Sequence, residues 1–162
     1  MGKIYVIHST KLLGNNIITS YLTWNLNIAQ IVKKTNVKME LLRRVASFGT
    51  SIEDLKNIYF LFVRSQLEQS AVVWHSSLTE ENIVDLERVQ KSAVKIIMGE
   101  KYKSYKKSLN TLEIEKFYDR REILCLNFAR RCVKNEKSKK MFPLTLILMG
   151  GGRNHLHRKV SL

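Results

Sequence analysis

Proline is nearly missing from this chain: Pro143 is the one instance in 162 residues, and only seven glycines accompany it. With so few helix-breaking residues, long stretches are free to be helical. Acidic residues are scarce too. Fourteen Asp and Glu stand against 28 Lys and Arg, a formal charge of +14. Such an excess attracts phosphate-rich partners, nucleic acid before anionic membrane, but does not dictate a fold. The two cysteines, Cys125 and Cys132, are too few for a disulfide framework. On one helix they stand roughly 10 Å apart, beyond the ~7 Å that a disulfide tolerates. Free thiols in a reducing, intracellular compartment are therefore expected. Adding His155 and His157 gives four nominal ligands whose spacing fits no common zinc pattern, so neither metal nor cofactor is expected. The apolar run "FPLTLILM" is far short of the ~20 residues of a membrane span. The opening "MGKIYVIHSTKLLG" lacks the sustained apolar stretch of a secretory signal. The chain reads as soluble, with no membrane role.

What is present is a hydrophobic fraction of 44%, enough for one domain with a real core. Residues 1–24 carry β-branched and aromatic residues around Gly14-Asn15-Asn16, which suits two short strands or an extended segment. From Asn25 the period becomes helical, with Ile28, Ile31, Thr35, Met39, Leu42 and Val45 on one face and Gly49 as the stop. Ser51 with Asp54 resembles a capping box opening a helix that is apolar nearly all round through "NIYFLFV", hence central and mostly buried. Thr79 caps a third helix, with Glu80 and Glu81 in its first turn and a buried stripe of Ile83, Leu86, Val89, Ala93 and Ile97 ending at Gly99. A fourth runs from about Glu113 to Asn135, with Phe117, Leu124, Phe128 and Cys132 inward. "KNEKSKK" reads as an exposed linker, and the tail after Pro143 has no period. The expected architecture is all-α: about four long helices in a bundle-like domain over residues 25–140, a short extended or β segment before it, and a loosely ordered tail at 141–162.

The basic residues sort onto faces. Arg88, Lys91 and Lys95 share one side of the third helix. Lys116, Arg120, Asn127, Arg131 and Lys134 fall within ~60° on the fourth. Between them, Tyr102 and Tyr105 sit among Lys101, Lys103, Lys106 and Lys107, a pattern that can stack bases while the lysines hold phosphates. Glu87 is spaced to pair with Lys91 one turn on. Trp74-His75-Ser76-Ser77 invites a catalytic reading, but adjacent side chains diverge and no third group orients the base. Trp74 is better read as closing the core, with His75 structural. Gly150-Gly151-Gly152-Arg153 follows no strand and lacks the ending of a phosphate loop.

One long stretch is familiar. "VVWHSSLTEENIVDLERVQKSAVKIIMG" resembles the segment after the palm in reverse transcriptases of non-LTR (LINE-type, jockey-like) retrotransposons, with their P-V-W-H-S-S-L-T and L-E-R-V-Q-K runs. "YLTWNLNIAQIVKKTNVKMELLRRVASFG" is similar to the family's L-x-W-x-x-H-I and L-R-R-L stretch, with Asn27 where a histidine is usual. "YKSYKKSLNTLEIEKFYDRREILCLNFARRCVKN" is similar to its R-R-x-x-L-C-x-x-F-A segment, and Phe142-Pro143-Leu144 to a short motif beyond. The resemblance spans residues 11–144 in order. Ser65 and Val73 replace expected prolines, Asn15 replaces an expected valine, and the tail beyond Leu144 reads like a truncation or a shifted frame.

The resemblance implies a thumb-like helical region of a polymerase, the part that grips primer and template. Polymerisation itself needs a palm carboxylate pair holding two Mg²⁺ ions. This chain has no Asp-Asp pair, and its aspartates, Asp54, Asp85 and Asp119, lie on helices. The expectation is a non-catalytic fragment, not an enzyme, retaining at most sequence-independent binding of RNA, DNA or an RNA–DNA hybrid. The binding set would be Arg88, Lys91, Lys95, Lys101, Tyr102, Lys103, Tyr105, Lys116, Arg120, Arg131 and Lys134. A palm domain in trans or self-association would cover the apolar faces of residues 25–72. The alternative is a helical protein-interaction module or an inactive relic.

Overall fold

Hydroxyl caps and glycines set several of the helix boundaries. The computed structural model describes the backbone of residues 9–12, 15–18 and 24–141; the expectations placed on residues 142–162 lie outside it. A hairpin of β1 (Ser9–Leu12) and β2 (Asn15–Ile18) pairs antiparallel, with Leu12 opposite Asn15. It leads into α1 (Asn25–Ser47), whose inward face is Asn27, Ile28, Ile31, Thr35, Met39 and Leu42. Gly49, at φ 76°, turns the chain out of that helix, a conformation open to glycine without penalty.

Ser51 Oγ accepts the Asp54 N–H and starts α2 (Ile52–Ile58). The chain continues through a π-helical stretch (Tyr59–Arg64) into α3 (Ser65–Leu67). This segment departs from the all-round burial expected of it. Only Leu55, Tyr59, Val63 and Leu67 are buried, while Leu61 and Phe62 face outward. On a regular α-helix a stripe at every fourth residue drifts sideways; the wider π turn keeps it in line with one neighbour. The apolar run is thus divided between a core stripe and a surface.

The helix also breaks earlier than its pattern suggests. Ser70 takes a left-handed conformation, φ 56°, and α4 (Ala71–Trp74) leads into a 3-10 turn (His75–Ser77). Thr79 Oγ1 then accepts the Asn82 N–H at the start of α5 (Glu80–Met98), which Gly99 ends at φ 49°. Leu86, Val89, Ala93, Val94 and Ile97 are buried along it. Asn82 Nδ2 donates to Asn25 Oδ1 at 2.7 Å, tying α5 to the start of α1.

A 3-10 turn (Gly99–Lys101) precedes α6 (Tyr105–Leu112), a helix the sequence pattern concealed in a lysine-rich stretch. Glu113, left-handed at φ 55°, ends it. The last long helix therefore begins later than expected, as α7 (Phe117–Lys134), because the chain turns to bury Leu112, Ile114 and Phe117 in sequence. Phe128, read as core, is 40% exposed, and the inward position one turn before Leu124 is held by Arg121. "KNEKSKK" is not a linker: Asn135 Oδ1 accepts the N–H groups of Lys137 and Ser138 and opens α8 (Glu136–Met141). The described helical body is all-α, and among the described residues no helix is long and apolar enough to cross a membrane.

Candidate nucleic-acid interface

Trp74, His75, Glu87 and Tyr105, which the sequence singled out, enter two polar nodes centred on residues it did not, Gln90 and Arg121. The first node is centred on Gln90, buried on α5. Its Oε1 accepts from the Tyr59 hydroxyl at 2.7 Å, and its Nε2 donates to Tyr105 Oη at 3.0 Å and to the Glu115 carbonyl at 2.8 Å. Tyr105 in turn donates to Glu87 Oε1. The same carboxylate accepts the backbone N–H groups of Phe117 (3.3 Å) and Tyr118 (3.2 Å), so a side chain of α5 caps the start of α7. A negative charge at those unsatisfied N–H groups is doubly favoured, by hydrogen bonding and by the helix dipole. Glu87 therefore faces inward rather than pairing with Lys91. Burial raises the pKa of Tyr59, and burial with the Glu87 hydrogen bond raises that of Tyr105.

The second node joins Trp74-His75 to α7. Arg121 is wholly buried, with its guanidinium 4.7 Å from the Phe117 ring, 5.8 Å from Trp74 and 5.9 Å from Tyr118. Its Nε donates to His75 Nδ1 at 3.3 Å. Aromatic faces attract the cation, but its two terminal nitrogens have no hydrogen-bond partner among the described residues. Desolvation accordingly lowers the Arg121 pKa to about 10. His75 is a hydrogen-bond acceptor here, and among the described residues neither Ser76 nor Ser77 bonds its ring, so no nucleophile is activated.

His75 also carries a pH signature. Burial, then the Arg121 charge, lower its pKa from 6.5 to about 4. The unfolded chain thus takes up the proton more readily, so the stability this group contributes is complete above pH 6.5 and lost as pH falls through about 4. Allowing for the half-exposed ring, the expected loss is about 1–2 kcal/mol. Thermal melts across that range should show a steeper acid decline for the native chain than for His75→Gln, which accepts the same bond without titrating. Parallel declines would assign the acid sensitivity elsewhere.

The basic residues divide by what they touch. Arg88 pairs with Asp85 at 2.6 Å. Arg120 pairs with Glu68 at 3.0 Å, and Glu68 also meets Arg64 at 3.4 Å, so that cluster binds α3 to α7; the Glu68 hydrogen bond raises the Arg120 pKa. Lys91, Lys95, Lys101, Lys103 and Lys116 are exposed and form no ion pair among the described residues. Lys95 Nζ lies 5.6 Å from the Tyr102 ring, which links the α5 lysines to those after Gly99. There Lys101 and Lys103, joined by Lys107, border a cleft of about 610 Å³ beside α6. Lys91, Lys95, Tyr102, Lys101 and Lys103 thus share one surface. Arg131 and Lys134 are exposed as well, but lie ~20 Å or more along α7 from Lys116. Tyr105, grouped with them by sequence, has its hydroxyl committed to Glu87 and Gln90. Lys107, named in the sequence only as a neighbour of the two tyrosines, is brought to the cleft by α6, a helix that the sequence pattern did not show.

Among the described residues no cluster of His, Cys, Asp or Glu is placed to hold a metal ion, and Cys125 and Cys132 are free thiols. No protein-family model matches the chain, and no curated protein or solved structure does either.

Proposed function

We propose that this chain is a non-catalytic, thumb-like fragment of a non-LTR retrotransposon reverse transcriptase that holds RNA, DNA or an RNA–DNA hybrid through its phosphates without reading sequence. The ordered resemblance over residues 11–144 supplies the family. The observation that carries the binding is the surface of unpaired lysines, Lys91, Lys95, Lys101 and Lys103, around the half-buried Tyr102. A lysine without a carboxylate partner is free to replace counterions on a phosphate backbone, and each replacement makes affinity salt-dependent. None of these side chains offers the paired donors and acceptors that read base edges.

Fluorescence anisotropy with a labelled primer–template hybrid across a salt series tests this. Four or five phosphates neutralised correspond to a slope of log K on log salt of about −4. Lys91→Glu should weaken binding about tenfold, while Arg88→Glu, whose native charge is already spent on Asp85, should do less. Absence of binding by a folded chain at moderate salt sinks the reading. If that chain also sediments above monomer mass, the second reading, a helical interaction module, takes over. Phe48 (85% exposed), Val37 (72%) and Leu61 (69%) are the apolar side chains such a module would present.

A further inference from the structure

The cleft beside α6 combines features that a solvated basic face does not need. Three lysines, Lys101, Lys103 and Lys107, border one concavity, and neither Asp nor Glu is among its lining residues. None of the three has an ion-pair partner among the described residues. Like charges gathered around a concavity with low-dielectric walls repel one another and focus positive potential within it, an arrangement relieved by an anion. In the cleft wall stands Ser108, 2% exposed, whose hydroxyl has no hydrogen-bond partner among the described residues. Its oxygen is closed to solvent, so Ser108 backs the cleft wall, and the lysines at the rim are the groups that meet an anion. Asn110 adds an amide at the rim, and Met98 an apolar wall.

We propose that this cleft is a phosphate seat, taking one phosphate group of a nucleic-acid strand while the strand continues past Tyr102 toward Lys95 and Lys91. The inference rests on the nucleic-acid reading above and narrows it from a diffuse basic surface to one saturable site. The charge argues for phosphate: three ammonium groups match an anion of one or two charges, and lysine is a point-charge phosphate ligand. The volume, about 610 Å³, admits a phosphate with its attached sugar. Both an internal phosphodiester and a terminal phosphate present this chemistry.

The test is an NMR titration of the isotope-labelled full chain, first with inorganic phosphate, then with short oligodeoxythymidylates bearing either a 5′-phosphate or a 5′-hydroxyl. Phosphate should shift residues 98–111 saturably. In Lys103→Gln/Lys107→Gln these shifts should vanish and oligonucleotide affinity fall about tenfold, against less than about twofold for Lys33→Gln/Lys34→Gln, exposed α1 lysines of equal charge. Cleft shifts confined to the 5′-phosphorylated strand identify a terminal phosphate; shifts with both strands identify the backbone. Equal losses in the two double variants overturn the seat and leave only net charge. Oligonucleotide binding without cleft shifts also overturns it, while the broader reading stands. Phosphate bound in the cleft without any oligonucleotide affinity keeps the seat and removes the nucleic-acid reading.

Discussion

Replacing Gln90 with leucine is expected to lower stability by about 3 kcal/mol, although the side chains are nearly equal in size. Gln90 is 1% exposed and joins three groups, of which only Tyr105 has another partner among the described residues, Glu87. Without it the Tyr59 hydroxyl, itself fully buried, loses its acceptor, and the Glu115 carbonyl loses its donor. The buried Tyr59 hydroxyl so orphaned costs about 1–3 kcal/mol, because it has given up water and regained nothing; the carbonyl of the exposed Glu115 adds less. For a chain of this length that corresponds to a fall in Tm of about 10 °C. Tyr59→Phe removes the orphaned hydroxyl, so adding it to Gln90→Leu should cost less than the sum of the single changes, with a coupling of about 1–2 kcal/mol. Chemical denaturation of the four proteins reads this directly. Strict additivity would mean that Tyr59 and Gln90 do not share a bond that matters.

Arg121 should behave in the opposite sense, because its charge is poorly served while its volume is needed. Arg121→Ala empties a space walled by Trp74, Phe117 and Tyr118. Its expected destabilisation is about 3–4 kcal/mol, as for other large-to-small core changes. Arg121→Met fills most of the same space without burying a cation whose terminal nitrogens lack partners, so it should be neutral or stabilising by about 1 kcal/mol or more. His75 loses the same donor in both variants, so that loss does not separate them. If methionine proves as damaging as alanine, the guanidinium is satisfied by something beyond the chain's own described groups, and the account of Arg121 as a volume-filling cation fails.

Both residues lie in stretches quoted from the sequence, "LERVQK" and "FYDRREILC", yet their roles were not legible there. Polarity marks a residue as a surface candidate unless a partner is known, and the partners come from far along the chain. Tyr59 and Gln90 are 31 residues apart, His75 and Arg121 46, and Glu68 and Arg120 52. The same reasoning explains Arg120, assigned by periodicity to a basic stripe and found paired to Glu68. It also explains Tyr105, whose neighbouring lysines suggested exposure but whose hydroxyl turns toward α5.

What the sequence by itself determined is local. Gly49 and Gly99 stop helices because positive φ favours them, and Ser51 and Thr79 cap the helices that follow because a hydroxyl can reach an N–H three residues on. The apolar stripes of α1 and α5 follow from spacing, whereas the buried Asn27, Asn82 and Gln90 beside them do not. Ser70 and Glu113 turn the chain just as sharply, but these residue types do not favour a left-handed conformation, so surrounding structure must hold them there. Tertiary structure decided which polar residues became core and which lysines remained unpaired. A helical period says which side chains share a face, whereas a buried hydrogen bond or ion pair depends on which other helix that face meets.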